Sequence, residues 1–261
     1  MYIIKSILFF ATTFALCNAS AVYKKLNKKC GLDDGACQKV LYGGILKEVV
    51  DNGIPEYNIP RMDPYVVKDL QLSVLGMLNV TLEDGAIAGF STCQSNTFTT
   101  DVKTLRTNIE LVCGSFSFEG TYKAESTPTL LAIIGGVNVH GEGKAKIVVE
   151  NLKLNLEFPF TVKKLADCEP HIRIEPEEAV TSYEVLGKMS VEADGMFVGQ
   201  QDVSTVAINI FNENWKVITK LVGPTVLNSG LNVFYTEVTK FFDAVPSKEL
   251  ICDDLTPYVT N

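Results

Sequence analysis

The feature that most constrains this fold is a helical pattern of apolar residues near the C-terminus, from about Asp202 to Val245. Asp202 or Ser204 can cap its start, and Gly223-Pro224 should kink or briefly interrupt it. A continuous helix of about 40 residues would be ~60 Å long, whereas a compact domain of this size has a radius of gyration of only ~18 Å. The helix must therefore run the length of an elongated molecule, and the remaining chain must wrap it. The apolar positions are Val206, Ile210, Val217 and Leu221 before the proline, and Leu227, Leu231, Phe234, Val238, Phe241, Phe242 and Val245 after it.

The region from about residue 65 to residue 197 predicts long β-strands with one apolar face. Residues 151–160, for example, alternate apolar and polar side chains at period two. The parity slips at Gly114-Ser115 and again between Val149 and Leu152, as β-bulges that bend and coil a sheet would make it do. We therefore predict an α+β fold: a long C-terminal α-helix wrapped by a highly curved antiparallel β-sheet. The sheet would enclose a hydrophobic tunnel for an apolar ligand, unless side chains fill that space as in most cores.

Residues 1–19 are predicted to be a signal peptide. Lys5 precedes the apolar run Ile7–Leu16, and small residues follow at positions 19 and 21, where cleavage could occur. The run is shorter than the ~20 apolar residues of a membrane span. A short buried N-terminal helix is the alternative. The signal-peptide interpretation implies an exported chain with no integral membrane segment, whose residues 20–261 form a single domain.

The cysteines support an extracellular compartment. Of the seven, Cys17 would leave with the signal peptide, and an even number is typical of disulfide-bonded exported proteins. Cys30 and Cys37 bracket a turn-rich loop and are predicted to pair. Cys93 and Cys113 could face each other across a hairpin centred near Lys103, which would leave Cys168 with Cys252. The spacing alone leaves all three pairings of these four cysteines open.

Composition and motifs exclude several partner classes. The formal net charge of −8 argues against nucleic acid and anionic membrane surfaces, both of which attract basic patches. The two histidines, His140 and His171, are far apart and no CxxC pair occurs, so we predict neither a metal nor another cofactor. Asn79-Val80-Thr81 is the one glycosylation sequon of the mature chain, and Asn79 falls on the polar face of its strand.

A short helix is predicted after the first cysteine pair, capped by Asp33 or Asp34 and ended by Asn52-Gly53. The next stretch, Gly53–Pro64 (GIPEYNIPRMDP), is called here the proline segment. Its three prolines lack a backbone donor and bias the preceding residues toward extended geometry. We predict that it is neither helix nor central strand, and that its apolar residues pack it along a surface. The predicted apolar face of the helix consists of Val40, Leu41, Ile45 and Val49.

These motifs resemble those of the takeout/juvenile hormone-binding protein family of insects. The cysteine pair that leads into a helix, the wording of the proline segment and Phe211–Lys216 (FNENWK) occur in the same order. Gly120–Tyr122 and Gly141–Gly143 also fall where the family has a glycine-tyrosine strand and a GxG turn. The departures are Arg61-Met62, the additional cysteines 93 and 113, and STPTLLAII at residues 126–134 in place of a glycine-rich turn.

The resemblance implies the fold predicted above, with the helix lying beside a hydrophobic tunnel. It also implies secretion into haemolymph or another extracellular fluid. The expected partner is a small hydrophobic ligand: juvenile hormone, another isoprenoid or a fatty acyl chain. A receptor or tissue partner is left unidentified by the sequence.

Ten aromatic residues are candidate ligand contacts, because their parity or their motif places them on the predicted inner face. Tyrosine hydroxyls at positions 65, 122 and 183 could donate to an epoxide, ester or carboxylate, whereas packing in the core is the alternative role for every member. The candidates are Tyr65, Phe116, Phe118, Tyr122, Phe158, Phe160, Tyr183, Phe211, Trp215 and Phe234.

Two other functional classes compete with a carrier. A secreted esterase is disfavoured because no G-x-S-x-G motif occurs and neither histidine lies beside a recognisable nucleophile motif. No catalytic residue is therefore predicted. The second alternative is a secreted structural or immune protein that binds lipid surfaces and has a filled core. The function that we predict is a secreted carrier of a small hydrophobic ligand.

Overall fold

The structure is a computed structural model that describes residues 28–260, so the predicted signal peptide lies outside the described residues. The described chain begins with a helix, continues as a series of strands and ends with two helices. The helices are α1 (Gly35–Asn52), α2 (Pro128–Ile133), α3 (Ser204–Glu213) and α4 (Trp215–Ala244). The strands are β1 (Tyr65–Val74), β2 (Leu78–Ala88), β3 (Cys93–Asp101), β4 (Arg106–Ser126), β5 (Val139–Lys164), β6 (Pro170–Ile174), β7 (Val180–Val185), β8 (Met189–Ala193), β9 (Met196–Val198) and β10 (Gln201–Asp202).

The strands form one open antiparallel sheet with the order β1-β2-β4-β5-β9-β10. β3 pairs with β4, while β6, β7 and β8 pair with successive parts of β5. The 26-residue β5 and the 21-residue β4 pair along most of their length and form the centre of the sheet. The predicted antiparallel sheet is confirmed.

The two predicted parity slips occur at one place in this sheet. Cys113 pairs with Leu152, and the next positions, Gly114 of β4 and Asn151 of β5, lie opposite each other outside the regular pairing. Asn151 has a φ of 51°, in the left-handed region. The two central strands therefore switch faces together and keep their register. Register shifts, as β-bulges make them, occur instead where β2 and β3 pair with β4, and such irregularities increase the twist of a sheet and curl it.

The curled sheet wraps the C-terminal helix. α4 contacts β1 at one end of the strand order, and it also contacts β6 and β8, which pair with β5. With 30 residues, α4 is ~45 Å long. Pro224 lies inside α4 without interrupting it, and the break falls at Asn214, between α3 and α4. The predicted interruption at Pro224 is therefore wrong. Proline has no N–H to donate to the carbonyl of Lys220, but Lys220 is exposed, so water can take the place of that donor.

The apolar positions predicted after Pro224 are confirmed, because all seven belong to or pack against the buried core, whereas the face of α3 and of the start of α4 that meets the sheet differs from the predicted one. The predicted face, Val206, Ile210, Val217 and Leu221, is exposed. Polar contacts fix the orientation, because the Asn212 side chain bonds both the N–H and the carbonyl of Val191. A second apolar stripe lies on the side of the contact residues and is half-buried: Ile208, Phe211, Trp215, Ile218 and Val222.

The first helix begins and ends as predicted. The Asp34 carboxylate accepts a hydrogen bond from the Cys37 N–H, and the Gly53 N–H donates to the Val49 carbonyl. Its apolar face is partly wrong, since Val40 is exposed and Gln38 is buried in its place. The Gln38 amide donates to the carbonyls of residues 31 and 32, which satisfies it in the core.

The proline segment packs through its apolar residues, as predicted, but it is less extended than predicted. Pro55–Tyr57 form one 3₁₀ turn, closed by a bridge between Ile54 and Ile59. Both isoleucines are buried. Gly53 has a φ of 68°, and a Cβ there would lie 2.7 Å from the Ile59 carbonyl oxygen and the Arg61 nitrogen. Only glycine fits this start of the turn.

Two disulfides are present among the described residues. Cys30–Cys37 precedes and enters α1, and Cys93–Cys113 joins directly opposite residues of β3 and β4, as the hairpin prediction required. The third pair is not formed, because Cys168 and Cys252 are free and exposed. Their backbones belong to different local structures: the N–H of residue 168 closes a turn with Leu165, whereas that of residue 252 donates to the carbonyl of residue 30.

Candidate ligand-binding site

One end of the molecule has a filled core. A continuous cluster of buried apolar residues joins α1, the proline segment, the end of β5, β6 and the C-terminal half of α4. Leu156, Phe160, Ile172 and Phe242 are central members. We call this cluster the packed end. Because side chains fill its interior, a ligand-binding site must lie elsewhere along the sheet.

Among the described residues, no packed core covers the same sheet along β1 and β2. The half-buried residues of β1 lie opposite those of β2, whereas the intervening residues Gln71 and Ser73 are exposed. No residue of α3 is buried, and the first buried residue of α4 is Leu231. We call the following six half-buried residues the apolar ladder: Leu70, Leu72, Val74, Leu78, Val80 and Leu82.

A shallow, open depression of about 430 Å³ lies on β1 and β2, and four of its six lining residues belong to the strand face opposite the ladder. Polar side chains share its lining with two ladder residues, so it is more polar than the ladder itself. The lining consists of Gln71, Leu72, Ser73, Asn79, Val80 and Thr81.

Three candidate aromatic residues belong to the packed end. Phe158 and Phe160 are buried members of the cluster, and Phe234 is partly buried against it. The rings of Phe158 and Phe234 meet the ring of Tyr235 edge-on, with centroids 6.4 and 6.0 Å apart. These contacts give all three a packing role.

Two further candidates lie on the β4 face beyond the parity slip. Phe116 is half-buried and meets Phe90 edge-on at 4.9 Å. Phe118 is buried against Gly85, where a Cβ would lie 2.8 Å from its ring. The structure thus separates these rings from those of the packed end, whereas the sequence predicts one inner face for all of them.

Two of the three candidate tyrosine donors already have partners. The Tyr122 hydroxyl donates to the Asp194 carbonyl at 2.8 Å, and the Tyr183 hydroxyl donates to the Thr219 carbonyl at 2.7 Å. Burial raises the pKa of both phenols, and Asp194 adds to the rise at Tyr122. These hydrogen bonds join β4 to the connection between β8 and β9, and β7 to α4. The two hydroxyl protons are therefore not free for a ligand.

Tyr65 is the third candidate donor. It opens β1, it is half-buried, and burial together with the Glu237 carboxylate raises its pKa while Lys240 opposes the rise. The Lys240 ammonium bonds both Glu237 and the Asn58 carbonyl of the proline segment. Tyr65 therefore lies next to an ion pair that ties α4 to that segment.

Phe211 and Trp215 flank the break between α3 and α4. Both are half-buried members of the stripe on the sheet side of these helices. The Lys216 ammonium lies 5.5 Å from the Trp215 ring centroid, within the range of a cation–π contact. A half-buried ring at this position can serve packing and ligand contact together.

Tyr235 is the polar group that sequence reasoning missed. Its side chain is 5% exposed, and its hydroxyl makes no hydrogen bond of ordinary geometry among the described residues, although the Thr181 side chain is close enough to act on it as a weak partner. Burial raises its pKa, and the nearby Thr181 hydroxyl opposes the rise. The signal was available, because a hydroxyl within a run of helical apolar residues near Phe234 needs a partner.

The groups expected of an enzyme or metal centre are engaged otherwise. His171 is buried, with its Nδ1 2.9 Å from the Phe242 carbonyl oxygen and its Nε2 3.0 Å from the Asp167 carboxylate. His140 stacks on Phe197. Among residues 28–260 no three His, Cys, Asp or Glu side chains are grouped as metal ligands would be. Over the same residues, no helix has both the length and the hydropathy needed to cross a membrane.

These features define an α+β protein whose curled antiparallel sheet wraps a long C-terminal helix and presents an incompletely buried apolar face. The family model described as haemolymph juvenile hormone binding protein (JHBP) matches residues 7–252, and the chain belongs to this family. Among solved structures it is similar to Takeout 1 of Epiphyas postvittana, with a TM-score of 0.72 and 20% identity over 85% of this chain and 98% of that one. This likeness confirms the fold. The comparison with curated proteins found no match.

Proposed function

We propose that this chain is a secreted single-domain carrier, which holds a small hydrophobic molecule against the inner face of its sheet. The observation that carries the proposal is the apolar ladder, which stays half-buried while the packed end of the same sheet is filled. Leucine and valine surface left accessible within a curled sheet is unfavourable in water, and an apolar ligand would cover it. Membership of the JHBP family supports the same function.

The ligand class that fits is an isoprenoid, including juvenile hormone, or a fatty acyl chain. The ladder offers aliphatic contact without a charge, since residues 70–82 contain no Asp, Glu, Lys or Arg. The buried Tyr235 hydroxyl, which makes no hydrogen bond of ordinary geometry, lies in the packed end, so it would bind a single ester, epoxide or carboxyl oxygen only of a ligand that extends from the ladder into that cluster. Burial of apolar surface would provide most of the affinity, and one such contact would set the orientation.

A ligand experiment tests this proposal. The purified chain is extracted with organic solvent for mass spectrometry, and displacement of a fluorescent fatty acid is measured for wild type, Leu72→Arg and the control Val66→Arg, whose valine is exposed on the same strand outside the depression. We expect a stoichiometric apolar molecule in the extract and an affinity loss of about tenfold or more for the ladder variant only, because a buried guanidinium is costly. A clean extract with no probe binding would favour the alternative of a filled core.

The Tyr235 contact has its own readout. Tyr235→Phe should leave the affinity for a saturated hydrocarbon probe unchanged and weaken that for a fatty acid or ester by about tenfold, since one hydrogen bond is lost. Tyr122→Phe removes a hydroxyl that already has a partner, and serves as the matched control. Equal effects of the two variants would remove Tyr235 from the ligand contacts.

Export and glycosylation are parts of the same proposal. Cys30–Cys37 and Cys93–Cys113 suit an oxidising compartment, and Asn79 is exposed on β2. N-terminal sequencing of the protein secreted by insect cells should begin near residue 20. A mass shift on glycosidase treatment, abolished by Asn79→Gln, would identify the glycan site. Retention in the cells, with residues 1–19 still attached, would contradict the export part.

An esterase is the remaining alternative. The proposal assigns no catalytic role to any residue, and both ring nitrogens of His171 already face structural acceptors. Turnover of a chromogenic ester, abolished by His140→Ala or His171→Ala, would replace the carrier proposal by an enzymatic one.

A further inference from the structure

Three connections between strands meet at the end of the sheet opposite the packed end. Leu78 at the start of β2 pairs with Ser126 at the end of β4, and Val139 at the start of β5 pairs with Val198 at the end of β9. The connections therefore lie side by side at this end of the sheet, and they consist of residues 75–77, 127–138 and 198–200. We call them the apolar tip.

Hydrogen bonds hold the three connections together. The Thr127 N–H donates to the Met77 carbonyl at 2.9 Å, and its hydroxyl donates to the Gly76 carbonyl. On the other side, the Gly199 N–H donates to the Asn138 carbonyl at 2.7 Å. The tip is thus one connected surface.

Exposed aliphatic side chains are concentrated on this surface. Leu75, Met77, Ile133, Val137 and Val198 are 50%, 38%, 64%, 43% and 39% exposed. They are five of the fourteen large apolar residues that are exposed among the described residues, on only three short connections. Single exposed apolar residues are ordinary, whereas a group of them marks a contact surface.

The tip is also free of charge. No Asp, Glu, Lys or Arg occurs in residues 70–82, 126–141 or 195–201, although such residues make up 21% of the chain. A partner recognised by charge is thereby excluded. The net charge of −8 lies elsewhere on the chain, so an anionic surface would be repelled and an uncharged one would not.

The composition of the tip distinguishes a lipid surface from a protein surface. Protein interfaces are enriched in aromatic residues and arginine at their centres. The tip consists of aliphatic residues together with glycine, threonine, proline, alanine, asparagine and glutamine, and contains no arginine; the rings at its border, His140 of β5 and Phe197 of β9, stack on each other. Aliphatic side chains on uncharged loops suit insertion among acyl chains, with the small polar groups at the level of the headgroups.

We propose that the apolar tip docks this protein on a zwitterionic phospholipid bilayer by inserting the aliphatic side chains of its three connections. This goes beyond ligand carriage and holds whether or not the apolar ladder binds a ligand. The contact is superficial and reversible, because five aliphatic side chains are far less apolar surface than a membrane-spanning helix. Docking would bring this end of the sheet to the membrane and leave the disulfide-linked N-terminal region at the far end.

Vesicle flotation tests the proposal. The secreted full chain is mixed with phosphatidylcholine vesicles, and wild type is compared with Leu75→Asp/Ile133→Asp. The control is Val40→Asp/Val180→Asp, whose valines are 61% and 60% exposed outside the tip. We expect the tip variant to bind at least about tenfold more weakly and the control within about twofold of wild type.

Further conditions separate the possible outcomes. Binding should be unchanged between ~0.1 and ~0.5 M salt and should weaken when anionic lipid is added, because no charge attracts the tip. Circular dichroism and fluorescent fatty acid binding report whether the variants stay folded. The proposal is overturned if wild type does not float at millimolar lipid, or if both double variants float equally. It is also overturned if the tip variant abolishes only self-association or protein binding.

Discussion

Two glycines on the same helix predict opposite responses to the same substitution. Gly223 of α4 faces the sheet, and a Cβ there would lie 2.0 Å from the Tyr183 hydroxyl oxygen and 2.6 Å from its ring. Gly230, two turns further on, has no atom within 4 Å of an added Cβ. Both gain about 0.8–1.0 kcal/mol of helix propensity when changed to alanine. Any difference between them therefore measures the Tyr183 contact.

The structure sets the size of this difference. Gly223→Ala must displace Tyr183, which loses its hydrogen bond to the Thr219 carbonyl, a loss of about 0.5–1.5 kcal/mol. Overpacking at such a contact adds about 1–3 kcal/mol. After the propensity gain is subtracted, Gly223→Ala should lower the free energy of unfolding by about 0.5–3.5 kcal/mol, while Gly230→Ala should raise it by about 1 kcal/mol.

Urea denaturation followed by fluorescence measures both values, because Trp215 is the one tryptophan of the chain and begins α4. A third variant isolates the cause. In a Tyr183→Leu background the hydroxyl and the end of the ring are gone, so Gly223→Ala should become stabilising. Shifts of the same sign and size for Gly223→Ala and Gly230→Ala would refute the packing of this helix on β7.

Two other predictions concern single side chains. Of the cysteines in residues 28–260, Cys168 and Cys252 should react with a thiol reagent in the native protein. If neither reacts, these two cysteines are paired after all in a third disulfide. Asp63→Asn should destabilise the protein at pH 7 by about 1–3 kcal/mol, since its carboxylate accepts from the Gly89 and Ser91 N–H groups. Burial works to raise the pKa of Asp63, but these bonds and the Arg61 charge hold it below its usual value. Such a carboxylate stabilises fully above its unfolded pKa of ~3.9 and loses that effect as the pH falls through its lower folded value, so the difference in urea midpoint between variant and wild type should begin to shrink below about pH 4. A difference that is as large at about pH 2 as at pH 7 would contradict this.

The features predicted correctly from the sequence are those that strand periodicity decides. Side chains alternate across a strand, so a change of parity must appear as an irregularity, and Gly114 and Asn151 provide it. The same reasoning placed Cys93 opposite Cys113, because a hairpin centre fixes which residues face each other. These inferences are local and need no knowledge of side-chain volume.

The orientation of the C-terminal helix was not predictable in this way. Its first half is apolar on two sides, and periodicity alone does not choose between them. The choice is made by Asn212, whose amide bonds the backbone of β8, and by the Tyr183–Thr219 hydrogen bond. The outward stripe that begins at Val206 is left exposed, and nothing in the structure shows what covers it.

Alternation also fails to tell whether an inner face is filled. Leu156 on β5 is buried and Leu72 on β1 is half-buried, although each belongs to an equally regular alternating strand. The size of the side chains along α4 accounts for much of the contrast. From Phe234 to Phe242 the helix supplies four aromatic rings, whereas Gly223–Gly230 includes two glycines, a serine and a threonine. The sheet is therefore filled where α4 supplies large rings. At Gly223 it is filled from the other side, by Tyr183, so the half-buried apolar ladder is the part of the sheet that an apolar ligand would still have to cover.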